Sequence, residues 1–243
     1  MVRNTGRVYG LVVKWQLQRD RQRFTYGRHF SDAARFVISV AVVIGSALLV
    51  DPDAVGSLER DIFHFVNDLP DVLFPAVWVV MQLGNLVAVP FMAGAALATR
   101  LVRMALDISV AGVAAYVGAG IVKQIFERAR PHQLLASVIV RGEPASGLGF
   151  VSGHAAVAAA LATAAHPYLG PRGRRIVWIL AFLVMASRVY VGAHLPLDVV
   201  GGAGLGYGIG ALMHLVLGCP EGHPMPYPVR RIRRRSSATE EPV

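Results

Sequence analysis

Charged residues are scarce in this chain. They make up 16% of its 243 positions, against about 25% in an ordinary soluble domain. Together with 54% hydrophobic residues and a mean hydropathy of +0.50, this argues against a cytosolic enzyme and for a polytopic membrane protein. Cysteine occurs once, at Cys219. An intrachain disulfide is excluded, and Cys219 with His223 makes a poor metal site. Lysine occurs only at Lys14 and Lys123, while arginine is abundant. With the many Ala, Gly and Val residues, this composition resembles GC-rich, bacterial coding. Nothing resembles a cleavable signal peptide. The first apolar run starts near Phe36, too late for one, and no small-residue cleavage site follows it.

The formal net charge is +9, so nucleic acid has to be considered as a partner. The basic residues sit in the tails and in short loops between apolar runs. That pattern fits a protein facing an anionic leaflet and excludes a soluble basic face for nucleic acid. A helix needs about 20 apolar residues to cross the hydrocarbon core. The expected spans are Ala34–Val50, Asn85–Ala98, Met104–Val122, Ala155–Leu169, Ile176–Tyr190 and Leu197–Leu217. The fold class is therefore all-α, a six-helix membrane bundle. Asp71–Met81 is read as an interfacial helix, because Gln82, Gly84, Asn85 and Pro90 interrupt the apolar stretch that follows. Three segments are expected: a basic cytoplasmic stretch 1–33, either amphipathic helix or solvated tail; a membrane domain 34–217; and a disordered cytoplasmic tail 218–243.

Alternate loops are basic. Arg100 and Arg103 follow the second span, Arg172, Arg174 and Arg175 the fourth, and Arg230 to Arg235 the sixth. The positive-inside rule then puts both termini in the cytoplasm of a plasma (inner) membrane protein. The loops 123–154 and 188–198 fall outside, although both carry basic residues. Gly202, Gly206 and Gly210, with Gly204 and Gly208 between them, allow close helix approach in the last span. Packing within the chain is favoured over a dimer seam, and the oligomeric state stays open.

The misplaced basic residues belong to three clusters at the outer helix ends. Lys123 is followed by Arg130-Pro131, Ser152-Gly153-His154 opens the fourth span, and Ser187-Arg188 leads to His194 and Asp198. This set suits a phosphate group. Arg130 and Arg188 offer paired donors, and Lys123 adds a point charge. Ser152, Gly153 and the first N–H groups of the helix form an anion site. His194 can attack phosphorus when its ring is neutral, with Asp198 holding the proton-bearing nitrogen. Pro196 favours a first-turn position that brings Asp198 back over His194. His154 can protonate the leaving oxygen and then activate water. Fixed cations neutralise the transferring group, so no metal or cofactor is required.

The patterns K-x6-R-P, S-G-H and S-R-x5-H-x3-D, in this order, resemble the signature of the type 2 phosphatidic acid phosphatase superfamily. The resemblance covers roughly residues 73–217. It implies a metal-independent hydrolase with a phosphohistidine intermediate. By resemblance, Lys123, Arg130, Ser152, Gly153 and Arg188 bind phosphate, His154 is the acid–base group, His194 the nucleophile and Asp198 its orienting partner. The chain departs from the family at Val151, where proline is usual. The expected substrate is a lipid phosphate or diphosphate, with polyprenyl diphosphate (undecaprenyl or decaprenyl) leading and phosphatidic acid or phosphatidylglycerol phosphate next. A phosphotransferase, a vanadate-dependent haloperoxidase and a non-catalytic lipid-phosphate binder are the rivals. Within the first motif, local pairing of Glu127 with Arg128 is favoured over a catalytic role, and Asp107, an intramembrane acid, is either a functional group or satisfied by Arg103. Arg141 contacts a headgroup or solvent, and Tyr190 serves as an interfacial anchor. His132 is a possible substrate contact. His64, His166 and His214 show no partner in the sequence.

Overall fold

The computed structural model describes residues 25–142 and 146–221. The N-terminal basic stretch up to residue 24 and the tail from residue 222 lie outside the described residues. Two short strands, β1 (Thr25–Gly27) and β2 (Cys219–Glu221), pair with each other. Between them run α1 (Phe30–Leu49), α2 (Ser57–Asn67), α3 (Phe74–Met81), α4 (Ala88–Ala98), α5 (Val102–Phe126), the single turn α6 (Pro131–Leu134), α7 (Gly153–Ala165), α8 (Pro171–Tyr190) and α9 (Pro196–Leu217).

The architecture is inside-out, as lipid requires. On α1 the buried residues are Asp32, Ser39 and Ser46, while Val37, Ile38, Ile44 and Leu48 are exposed. The two serines return their hydroxyls to backbone carbonyls one turn earlier, so neither hydroxyl is left unsatisfied in hydrocarbon. Helices α1, α5 and α9 are long and apolar enough to cross a membrane. Segments 71–84 and 88–98 together form a fourth candidate, bent by 73°. The bend falls at Asn85–Val87, inside the stretch where the sequence shows its interruption.

The expected fourth and fifth spans correspond to α7 and α8. The 13 residues of α7 cover only about 20 Å, but every residue from Ala155 to Ala165 is buried. It is the central post, packed against α5, α8 and α9, and it does not meet lipid itself. Helix α8 carries Arg172, Arg174 and Arg175 at one end and Arg188 at the other, which lowers its apolar character.

Small residues make this packing possible. Gly202, Gly206 and Gly210 face α7: an added Cβ would strike Ser152 O, Ala156 O and Thr163 respectively. Gly204 and Gly208 face α1, against Val42 and Ser39. The glycine rows are therefore seams within the chain. With no hydrophobic drive between helices in lipid, such close backbone approach supplies the dispersion contact that holds them together.

Candidate active site

The three motif clusters converge where α5, α7, α8 and α9 meet. Helix α5 ends at Glu127, whose left-handed φ of 42° turns the chain so that Arg128 and Arg130 both point inward and are buried. Arg130 acts as a clamp. Its Nε donates to Gly147 O at 3.1 Å, its Nη2 to Ser146 O at 2.9 Å and its Nη1 to Ala193 O at 2.7 Å. The same Nη1 lies 2.9 Å from His194 Nε2. Lys123 Nζ donates to Leu148 O at 2.7 Å and Gly149 O at 3.2 Å. One face of the site is thus a loop, 146–149, whose carbonyls are gripped by two cations.

His194 sits in the α8–α9 turn and is buried. Its backbone N–H donates to Arg188 O at 3.1 Å. Its Nδ1 is 3.5 Å from Asp198 Oδ2. Asp198 is fixed from every side. Oδ2 accepts Leu195 N–H at 2.9 Å, Oδ1 accepts Arg128 Nη1 at 2.9 Å, and its backbone carbonyl accepts Ser152 N–H at 2.8 Å. Pro196 at the first position of α9 sets this turn, as its fixed φ anticipates. Burial first, then the charges of Arg130, Arg188 and Lys123, push the His194 pKa well below its ordinary 6.5. The imidazole is therefore neutral at pH 7, with a lone pair for chemistry.

Ser152 caps α7, its Oγ accepting Ala155 N–H at 3.5 Å. The N–H groups of Gly153 and His154 have no acceptor among the described residues. His154 follows in the first turn of α7, and the charges of Arg188, Arg130 and Lys123 reach it. Arg188 is buried with its Nε unpartnered among the described residues and its Nη1 2.7 Å from Met81 Sδ. A thioether is a weak acceptor, so this guanidinium has capacity for an incoming oxyanion. Val151, fully buried beside Phe150 and Gly201, occupies the place where the family usually has proline.

The largest difference from the sequence expectation is Arg128. It does not pair with Glu127. It is fully buried and donates to Glu59 through both terminal nitrogens, at 3.1 and 2.6 Å, while also holding Asp198. Glu59 in turn accepts Leu197 N–H at 2.9 Å. A four-membered chain, Glu59–Arg128–Asp198–His194, thus underlies the histidine. Its only sequence signal was Arg128 lying inside the first motif; Glu59 lies 69 residues away.

Arg141 is turned inward rather than into solvent. It is buried, donates to Asp71 Oδ1 and to the carbonyls of Asn67, Leu69 and Tyr190, and stacks on the Tyr190 ring at 4.1 Å. Tyr190 is buried as well, with its hydroxyl on Pro70 O; its place is the core, not the interface. Asp107 pairs with Arg103 at 2.9 Å and also accepts the Tyr168 hydroxyl. His64 lies 3.6 Å from Asp68, and His166 accepts the Trp178 indole N–H.

Residues 104–218 match the family model of the PAP2 superfamily. This stretch, just under half of the chain, is similar to PAP2 domains. The match spans every motif residue and excludes α1 to α4. Two crystal structures share the fold. LpxE from Aquifex aeolicus superposes with a TM-score of 0.58 at 26% identity, covering 65% of this chain and 96% of that one. The transmembrane PAP2-type phosphatidylglycerolphosphate phosphatase from Bacillus subtilis gives 0.55 at 21% identity, covering 76% and 94%. No curated protein sequence matches the chain. By this match and by fold the chain is similar to membrane lipid phosphatases.

Proposed function

We propose that the protein is a metal-independent lipid phosphate or diphosphate phosphatase working through a phosphohistidine. The observation that carries this reading is the buried His194, with Nε2 against the Arg130 guanidinium and Nδ1 toward an Asp198 anchored by Arg128. A phosphate entering beside Arg188 and the open N-terminus of α7 displaces the Arg130–His194 contact. Arg130, Arg188, Lys123, Ser152 and Gly153 then hold the phosphoryl oxygens. His194 Nε2 attacks phosphorus while Asp198 stabilises the imidazolium. The bond from phosphorus to the leaving oxygen breaks, and His154 gives that oxygen a proton. His154 then takes a proton from water, which attacks the phosphohistidine and releases phosphate.

An apolar cavity of about 320 Å³ runs between α2, α3 and α8, lined by Val66, Val77, Val80 and Leu183 and reaching Ser187, next to Arg188. It offers a hydrocarbon tail a place beside the phosphate pocket. The basic loops at the other end of the bundle support an extracytoplasmic active site with both termini in the cytoplasm. A polyprenyl diphosphate carrier, whose headgroup is exposed on that face, is therefore the leading substrate. Phosphatidylglycerolphosphate, the substrate named for the Bacillus subtilis neighbour of the same fold, is the second.

The test is phosphate release by purified protein in detergent with EDTA. Undecaprenyl diphosphate, phosphatidic acid and phosphatidylglycerolphosphate are offered in parallel, with His194→Ala as control. Release that disappears in the variant is expected, fastest with the diphosphate. Release abolished by EDTA, or equal in the variant, overturns the mechanism.

A further inference from the structure

A second polar cavity, of about 460 Å³, lies at the opposite end of the bundle, among α1, the 166–168 turn, α8 and α9. Along α9, His214 is 16 residues from Asp198, about 24 Å; along α8, Arg174 is 14 residues from Arg188, about 21 Å. It is separate from the catalytic cluster and belongs to the other membrane face.

Its walls hold unmet hydrogen-bonding groups. Asp32 is almost fully buried; Oδ1 accepts Arg35 Nη1 at 3.0 Å, but Oδ2 has no partner among the described residues. His214 is buried as well, and neither ring nitrogen has a partner among the described residues. His166 Nδ1 accepts the Trp178 indole N–H at 3.1 Å, which fixes the tautomer and leaves Nε2–H as a donor. Arg174 has its Nε on the carbonyls of His166 and Leu169, at 3.1 and 2.8 Å. Its stem is thereby fixed, and its terminal nitrogens have no acceptor among the described residues. Orphaned polar atoms at this depth are costly unless something meets them.

The charge and donor inventory selects the ligand class. Two guanidiniums against one carboxylate leave the walls net positive, and most free groups are donors. That calls for an oxyanion. The free Asp32 oxygen is the exception: it accepts, so the anion must itself carry a donor. Metal binding has no basis, because the described residues contain no group of three suitable ligands.

We propose that this cavity is a second, non-catalytic phosphate site, taking a phosphate group that bears an adjacent hydrogen-bond donor. Arg174, His166 and Arg35 face the charged oxygens, and Asp32 and His214 meet the donor. Two sources have this chemistry: free protonated phosphate with its P–OH, and a phospholipid headgroup with an amine or hydroxyl beside the phosphate. Sulfate and phosphocholine have the charge but not the donor.

Cys219, the chain's single cysteine, lines the cavity and reports on it without further engineering. The experiment measures the rate of maleimide labelling of the full-length protein in detergent. Four ligands are titrated: inorganic phosphate, sulfate, glycerophosphoethanolamine and glycerophosphocholine. At ten times the dissociation constant, labelling slows about tenfold. Protection by phosphate but not sulfate identifies free phosphate as the source. Protection by the ethanolamine but not the choline compound identifies a headgroup. Arg174→Gln abolishes protection, Arg174→Lys keeps a reduced part of it, and Arg188→Gln, at the catalytic end, leaves it intact. No protection by any ligand overturns the proposal. So does equal protection by the donor-free partners, or protection lost in Arg188→Gln yet kept in Arg174→Gln. None of these readouts depends on hydrolysis, so the result is independent of the catalytic reading.

Discussion

The two polar ends of this bundle solve the same problem in opposite ways. Both bury histidine and aspartate among apolar helices, but arginine is buried only at the catalytic end; Arg35 is exposed and Arg174 half-buried at the other. At the catalytic end the groups behind His194 are tied, Asp198 with three partners and Arg128 with two carboxylates, while Arg188 Nε and the start of α7 stay open toward the phosphate pocket. At the other end Asp32 and His214 keep unmet atoms around an open cavity. The difference teaches that burial alone does not mark function. Rigid, mutually satisfied groups hold a nucleophile in place for a transition state. Unsatisfied groups around a void point to a ligand that arrives ready-made.

Breaking the catalytic end should give the largest effects. His194→Ala removes the attacking atom and is expected to cut phosphate release by about 10³-fold or more, with the melting temperature little changed. Retention of more than a tenth of the activity would exclude His194 as nucleophile. Arg128→Met comes next. It strands Glu59 and Asp198 as buried charges, a loss of about 3–5 kcal/mol in stability, visible as a lowered midpoint in thermal unfolding. Adding Glu59→Gln should recover part of that loss, which a simple packing defect would not allow.

The seam joining the two ends is tested by Gly206→Ala, whose Cβ would meet the Ala156 carbonyl. Overpacking there is expected to cost about 1–3 kcal/mol; a wild-type unfolding midpoint would mean that α7 and α9 slide freely. A pH test is smaller. The folded protein keeps His194 neutral, while the unfolded chain takes up a proton there near pH 6.5. Stability from this group is present above that pH and falls as pH drops below it. Wild type should lose more stability than His194→Gln between pH 7 and 5. Smallest of all, Arg174→Gln should leave hydrolysis within about twofold, since it touches only the other end; an order-of-magnitude loss would show the two ends to be coupled.

Much of this was legible in the sequence because the decisive constraints are local. Pro196 and Asp198 act within one helical turn of His194. Ser152 and His154 lie at one helix start, and the five glycines of α9 are spaced by the helix itself. The Arg103–Asp107 pair likewise spans one turn. What escaped depends on distant partners. Glu59 and Arg128 meet across 69 residues, and Arg128 has a nearer acid, Glu127, that it does not use. Arg141 and Tyr190 read as surface residues, yet they form a buried clamp with Asn67 and Pro70, because the loop carrying Arg141 folds over the α2–α3 connection.

The sequence by itself determined the all-α membrane class, the order of the three motifs and which side chains they bring to the candidate site. Those follow from hydropathy, helix periodicity and side-chain chemistry, which need no knowledge of neighbours. Tertiary structure alone decided which carboxylate holds Arg128, which faces of α9 meet α1 and α7, and where two arginines, a carboxylate and three histidines surround a cavity. Those outcomes rest on through-space packing and on the low-dielectric cost of leaving a buried charge unpaired, and neither is written in any short stretch of the chain.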